Sequence, residues 1–432
     1  MNDEFPDLDL SLKHHAAARR ELLRRIAGGA AASAVLAGLP WFSPLKAQPA
    51  GKSPSDRVRI GLIGTGSRGQ VLLEHLLKTP AVEIAGLCDV YAPSLDAAQR
   101  KVGKKVPYYR DYRALLDDKT IDAVVIATPL HLHAPMCLSA FAAGKSVYCE
   151  KSLALTIEEC KAVAMAADQS PQVFQIGHQR LFHRSALHAL SQVKAGDLGP
   201  ITQIRAYWHR NIDWRRPVPS PDLEPLINWR LYRQFSAGLM TELASHHLHV
   251  ANWFLDAPPV ACVGYGSINY WKDGREVFDN VNVIYKYPNG VSFVYDSLSS
   301  NRFHGLEVQI MGPKGTLELE TSRFYREIPP PAPGIVQLIN QIEKGIFERV
   351  PIGGPSWVPD LKKDTKGIAL PEDPGHDDGT GLSLAAFASA VRLKEKMPYM
   401  VEHAYRSGVA ALMGVQAMEE GREVLWPGDY RS

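Results

Sequence analysis

VRIGLIGTGSRG, residues 58–69, decides the fold: the apolar run Val58 to Ile63 leads straight into Gly64-x-Gly66-x-x-Gly69, and the amphipathic stretch Gln70 to Leu77 follows with a helical pattern. Each glycine has its own task. Gly64 permits the tight turn, Gly66 lets backbone amides approach a pyrophosphate, and Gly69 lets the new helix pack close to the strand, while the helix N-terminus favours negative charge. VEIAGLCD supplies a second strand and sets Asp89 twenty residues beyond Gly69, where a carboxylate bonds the adenosine ribose hydroxyls. The unit predicts a dinucleotide site with NAD as its cofactor, because an acid at Asp89 disfavours a 2′-phosphate. Ser67 and Arg68 sit in the same turn, and Arg68 is the residue that would shift the preference to NADP by pairing with that phosphate.

Working outward, helices over Ser94 to Val102, Tyr112 to Leu116, His133 to Ala143 and Thr156 to Asp168 alternate with short strands at Val106 to Tyr109, Ala123 to Ala127, Ser146 to Cys149 and Val173 to Ile176. That alternation predicts a doubly wound parallel sheet, a Rossmann domain over 56–176. From Gly177 the character changes. Strand-like runs at Ile201 to Trp208, Val260 to Tyr270, Val281 to Tyr287, Val291 to Leu298, Leu306 to Met311 and Thr316 to Leu319 are separated by turns such as Pro288-Asn289-Gly290. They predict an α+β domain over 177–432 with a large, mostly antiparallel sheet, interrupted by a Pro/Gly-rich excursion at 329–379. Ile335 to Phe347 reads as a helix inside that excursion, and Leu382 to Lys394 and Glu402 to Gly421 as closing helices.

The chain has 432 residues with 48 Lys plus Arg against 46 Asp plus Glu, a net charge of +2 that points away from nucleic acid and toward a small-molecule partner. Its 5 cysteines lack C-x-x-C spacing, which argues against a disulfide framework or structural zinc. Residues 1–50 stand apart: Arg19-Arg20-Glu21-Leu22-Leu23 precedes an Ala/Gly-rich apolar run from Ile26 to Phe42, the layout of a twin-arginine export signal. The run falls short of about 20 strongly apolar residues, so a signal cleaved near Ala47 is favoured over an uncleaved membrane tether. Export would place the protein in the periplasm.

In a doubly wound sheet, ligands bind beyond the carboxyl ends of the strands. Two segments fall there: Thr128-Pro129-Leu130-His131-Leu132-His133 and Cys149-Glu150-Lys151-Ser152. With AAGKSVYCEKSLA at 142–154 and AGLMTELASHHLHVANW at 237–253, the chain resembles the Gfo/Idh/MocA family of NAD(P)-dependent oxidoreductases from Val58 to its C-terminus. The resemblance implies a cofactor site built from Gly64, Gly66, Ser67, Arg68, Gly69, Asp89, Thr128, Pro129, His133, Glu150 and Lys151. It also implies that Lys151, from a Glu-Lys-Pro motif whose proline is here Ser152, lies at the substrate beside the nicotinamide. Leu130 stands where the family has asparagine. The family's Asp-x-x-x-His reads Glu242-Leu243-Ala244-Ser245-His246.

On an ideal helix Glu242, His246, His249 and Trp253 share one stripe, with Met240, Leu243, Val250 and Phe254 on a neighbouring apolar one. Glu242 could then orient His246, whose other nitrogen would face a ligand as a general base. Metal binding by His246 and His249 lacks a further ligand at a recognisable spacing, so no metal is expected. His178 and Arg180, at the exit of strand six, are weaker substrate or cofactor candidates, equally suited to a domain-junction network. Trp214, Trp229 and Arg230 interleave aromatics with donors, as sugar-binding surfaces and dimer contacts both do. His376-Asp377-Asp378 reads as a solvated loop or a lid.

These readings converge on an exported oxidoreductase acting on a secondary hydroxyl of a carbohydrate or polyol, with Lys151 and His246 as catalytic groups and Glu242 as orienter. Because a periplasm offers no free nicotinamide pool, NAD is expected to be bound before export and kept, and the chemistry to be redox-neutral. Gln48 to Asp56 would be either an arm over that cofactor or a plain linker. The alternatives are an NAD-dependent glycosidase working by transient oxidation and elimination, and a non-catalytic secreted sugar-binding protein. Partners would be the twin-arginine machinery and a second copy of the chain through the C-terminal sheet.

Overall fold

The computed structural model describes residues 57–327, 367–371 and 378–431. The export-signal region, Gln48 to Asp56, the expected helix at Ile335 to Phe347, and His376 with Asp377 lie outside the described residues. Among those described, no helix is long and apolar enough to cross a membrane.

The first domain is the expected parallel sheet. Strands β1 (Val58–Ile63), β2 (Val82–Cys88), β3 (Tyr108–Tyr109), β4 (Ala123–Ile126), β5 (Ser146–Cys149) and β6 (Phe174–Ile176) take the order β3-β2-β1-β4-β5-β6. β4, β5 and β6 are buried along their whole length, because helices cover both faces. Helix α1 (Ser67–Lys78) starts three residues earlier than its periodicity suggests: Gly66 is its N-cap, so the turn feeds directly into the helix. Gly64 adopts φ +88°, and a Cβ there would meet the Ala127 carbonyl oxygen at 2.5 Å. A Cβ on Gly69 would lie 2.0 Å from the Gly64 carbonyl oxygen. Helices α2 (Ala92–Val102), α3 (Tyr112–Asp117), α4 (His133–Ala142) and α5 (Ile157–Gln169) complete the winding. α5 is started by a reciprocal cap between Thr156 and Glu159.

After helix α6 (Arg184–Ala195), which the strand-dominated reading of this region did not anticipate, the chain builds a second sheet. β7 (Gln203–His209), β8 (Ala261–Ser267), β9 (Asn280–Lys286), β10 (Ser292–Leu298), β11 (Leu306–Gly312), β12 (Gly315–Glu318), β13 (Arg323–Arg326), β14 (Ile368–Ala369) and β15 (Val424–Leu425) lie in the order 14-13-12-11-7-10-9-8-15. Only β7 and β10 pair in parallel; every other neighbour is antiparallel. β8 stops before the expected Tyr270 because the Asp279 carboxylate accepts the amides of Asn269, Tyr270 and Trp271 and turns the chain. The inner face packs on α7 (Ser245–Leu255), which follows a π-helical turn at Met240–Ala244.

The domain division at residue 177 is crossed at the end. Helices α8 (Thr380–Leu393) and α9 (Met400–Glu420) return to the first domain, where Gln175 Nε2 donates to Ser383 Oγ at 2.7 Å and Gly408 leaves room for Cys160 and Leu153 of the Rossmann side. The Tyr430 hydroxyl donates to Asp168 Oδ2 at 3.0 Å, at the end of α5. One continuous apolar core therefore joins both sheets.

The glycine geometry separates two roles. Gly69→Ala should force β1 and α1 apart and lower the melting temperature by roughly 4–8 °C, the scale of an overpacked site costing about 2 kcal/mol in a domain of this size. Gly66→Ala should leave it within about a degree, since a Cβ there meets nothing within 4 Å. Thermal melts of both variants against the parent chain check this.

Candidate active site

The site assembles beyond the carboxyl ends of the parallel strands. Asp89, at the exit of β2, accepts the Thr65 amide and hydroxyl on Oδ2 at 2.7 and 3.0 Å and the Tyr91 amide on Oδ1 at 2.8 Å. The acid thus holds the glycine-rich turn in register with the second strand. Open space over Gly66, at the N-terminus of a helix with no acid in its first turn, fits the pyrophosphate of a dinucleotide.

Three expected cofactor contacts have other duties. Arg68, the residue proposed for a 2′-phosphate, donates from Nε to Glu150 Oε1 at 2.8 Å. A buried carboxylate at the exit of β5 needs a counter-ion, so Glu150 is likewise committed to Arg68. Its carboxyl group lies over Gly177, where a Cβ would come within 3.0 Å. His133 is buried, with Nδ1 2.7 Å from the Ser152 carbonyl and Nε2 3.0 Å from the Thr128 carbonyl. It ties the loop after β4 to the loop after β5 through both ring nitrogens. Pro129 leads into the short 3₁₀ turn Leu130–Leu132 between them.

Lys151 follows β5 and precedes a cis peptide to Ser152. Its Nζ donates to the Glu242 backbone carbonyl at 2.7 Å, joining the two domains. Burial pushes the ammonium pKa down, while the Glu242 and Glu150 carboxylates oppose that shift. The Glu242 side chain departs from expectation. Its Oε2 accepts Arg230 Nε at 2.8 Å and its Oε1 accepts the Ser236 hydroxyl at 3.4 Å, so its carboxylate is spent there and not on His246. The physical reason is the π turn: i→i+5 bonding rotates Glu242 off the i, i+4 stripe that an ideal helix would share with His246. Burial raises the Glu242 pKa, but Arg230 and Lys151 outweigh it and hold the carboxyl below its usual range.

His246 is surrounded by rings. It lies 6.2 Å from His178, edge to face, and 5.8 Å from Trp208. His178 stacks on His249 at 4.3 Å with an interplanar angle of 6°. His249 in turn stacks on Trp253 at 6.1 Å and meets His403, from α9, edge-on at 5.2 Å. The ring nitrogens of His178 and His249 are buried without a protein hydrogen-bond partner. Burial, reinforced by the charge of Lys151, pushes His246 and His178 well below the ordinary imidazole value, and burial does the same to His249. His246 is therefore held in the neutral form, the one that can accept a proton.

Arg180 pairs with Glu320, and its charge reaches these imidazoles, so the exit of β6 does face the cluster. Trp229 carries the Arg230 guanidinium over its ring at 4.1 Å, while Trp214 packs half-buried on the core. No group of three or more His, Cys, Asp or Glu among the described residues is arranged to hold a metal ion. His403 and Arg216 were not singled out from the sequence. His403 stands in the last helix with no local motif, and Arg216 follows an aromatic-rich stretch in which only its neighbours stood out.

Comparison with known proteins matches residues 58–178 to the model of the GFO_IDH_MocA oxidoreductase family with its NAD-binding Rossmann fold, and residues 187–318 to the GFO/IDH/MocA C-terminal domain. A glycosyl hydrolase family 109 protein of Stenotrophomonas maltophilia is 32% identical over 166 residues, 36% of this chain and 37% of that protein. The match thus spans well under half of that relative's length. Among solved structures, levoglucosan dehydrogenase in complex with NADH and levoglucosan superposes with a TM-score of 0.66 at 20% identity, covering 86% of this chain and 100% of that one. Aldose-aldose oxidoreductase from Caulobacter crescentus gives 0.64 at 20% identity with the same coverage. At such identity the likeness is one of fold.

The imidazole cluster should make the protein acid-sensitive. An unfolded imidazole titrates near 6.5, whereas His403 is held by burial at about 4 and the others also lie lower. Between those values the unfolded chain binds more protons, so stability present above pH 6.5 is lost as pH falls. Urea titrations from pH 7 to pH 4 should show that loss, and His403→Gln should flatten it between about 6.5 and about 4; an unchanged slope would exclude His403 as a contributor.

Proposed function

The chain belongs to the Gfo/Idh/MocA oxidoreductase family and carries its NAD-binding domain, and from that premise we propose that it oxidises a secondary hydroxyl of a carbohydrate or polyol with a retained nicotinamide. The observation that carries this reading is the convergence, from separate domains, of a half-buried ammonium and a neutral imidazole: Lys151, held by the Glu242 carbonyl, and His246, kept neutral by burial and by that same charge. An alcohol losing hydride must also lose a proton, and its oxygen develops negative charge before the proton is gone. His246 accepts the proton; Lys151 donates a hydrogen bond to the oxygen. Bound NAD supplies the hydride acceptor. Glu242 is a positioning residue for Lys151, through its carbonyl and through the charge it shares with Arg230.

Asp89 favours NAD over NADP, and the commitment of Arg68 to Glu150 removes the guanidinium that would have argued otherwise. The twin-arginine pattern near Arg19 supports export with the cofactor already in place, and a retained cofactor implies redox-neutral chemistry. The glycosyl hydrolase family 109 relative favours one form of that chemistry, transient oxidation that permits glycosidic elimination before hydride returns. Transfer between two sugars is the other form.

Lys151→Ala and His246→Ala should each lower turnover by about two orders of magnitude or more while the cofactor stays bound. Near-normal turnover in either would remove that residue from the chemistry. Glu242→Gln should shift the pH profile more than cofactor occupancy.

Purified full chain should complete many turnovers with no added NAD. A donor and a keto-sugar acceptor test transfer, and nitrophenyl glycosides alone test elimination. Deuterium at the oxidised carbon should reach the acceptor in the first case and stay in the released sugar in the second. Strict dependence on added NAD with stoichiometric NADH would indicate an ordinary dehydrogenase.

A further inference from the structure

Arg216 belongs to the second domain, yet its Nη1 donates to the Ser67 hydroxyl at 3.0 Å. Ser67 is the first residue of α1, directly after the glycine-rich turn. The backbone that delivers this arginine is clamped from both sides: its amide donates to Asn228 Oδ1 at 2.7 Å, and Asn228 Nδ2 donates to its carbonyl at 2.9 Å. Asn228 is itself buried and bonded to Glu224 Oε2 at 2.7 Å. The position of Arg216 is thus built, not incidental to a loose surface loop.

The acids around it serve other cations. Glu224 pairs with Arg215 and accepts the Tyr232 hydroxyl. Asp273 pairs with Arg215 at 3.1 Å and Arg275 at 2.8 Å, and Asp213 pairs with Arg275 at 2.8 Å. Among the described residues no carboxylate pairs with Arg216, and its hydrogen-bond partner is a neutral hydroxyl. A guanidinium is held against the positive end of a 12-residue helix whose first turn holds no acid, beside the open space over Gly66. Two positive groups facing one another are unfavourable until an anion lies between them.

We propose that Arg216, reaching from the second domain to the glycine-rich turn, binds the cofactor's pyrophosphate there, so that the dinucleotide is clasped between domains and leaves only when this ion pair breaks. The proposal rests on the nicotinamide reading above and gives its retained cofactor a residue. The planar fork of arginine suits two phosphate oxygens, which lysine meets only as a point charge.

The experiment measures release of NADH from the full chain by loss of its bound fluorescence on dilution, for the parent and for Arg216→Ala and Arg216→Lys. A charge-assisted contact of this kind corresponds to roughly a 10- to 100-fold faster release for Arg216→Ala, with Arg216→Lys between the two. Equilibrium binding of ADP should weaken in parallel, whereas binding of adenosine, which lacks phosphate, should not change. Melting temperatures without nucleotide should coincide, since Arg216 is exposed. Release from Arg216→Ala at the parent's rate, or equal weakening toward ADP and adenosine, would overturn the pyrophosphate assignment and leave the cofactor reading intact. A parent chain that binds neither NAD nor NADP would overturn that reading and this assignment together.

Discussion

A half-buried ammonium must find acceptors, and the way Lys151 finds one governs the centre of this molecule. Its bond to the Glu242 carbonyl fastens the exit of β5 to the second domain. That carbonyl belongs to a π turn, whose widened bonding pattern departs from the i→i+4 ladder of an ordinary helix. The same turn swings the Glu242 carboxylate toward Arg230, which offsets the charge of a half-buried acid. Burial drives His246 toward neutrality, and the charge of Lys151 reinforces it. Lys151 is therefore the common member of two electrostatic pairs, one with the Glu242 carboxylate and one with His246.

The parts of the structure legible in the sequence are those governed by local pattern. Gly64, Gly66 and Gly69 announced the turn because each answers a steric demand within a few residues, and Asp89 followed at a spacing set by one strand–helix–strand unit. The doubly wound parallel sheet followed from simple alternation of helix and strand, though not the order of its strands. Ends were less legible: the two-residue β3, and β8 cut short by Asp279, depend on bonds from elsewhere in the chain. β13, β14 and β15 are too short to show a period.

The candidate site divides in the same way. Lys151 and His246 stand in motifs that the sequence shows on inspection. The partner of the Glu242 carboxylate was misread because an ideal helix was assumed where tertiary packing inserts a π turn. His133 and Glu150 occupy the expected loops, but burial commits them to holding those loops together. Arg216 and His403 reach the site from distant segments, and no spacing within one chain segment encodes such a meeting.

The return of α8 and α9 to the first domain bears on the order in which the protein can be made. A Rossmann unit emerging from the ribosome could close its sheet early, but here Gln175 waits for Ser383 and Asp168 waits for Tyr430. The flank of α5 and the edge at β6 stay uncovered until more than two hundred further residues have been synthesised, as the separation of 262 between Tyr430 and Asp168 makes plain. The cover of that flank is therefore supplied only by the last helices to leave the ribosome.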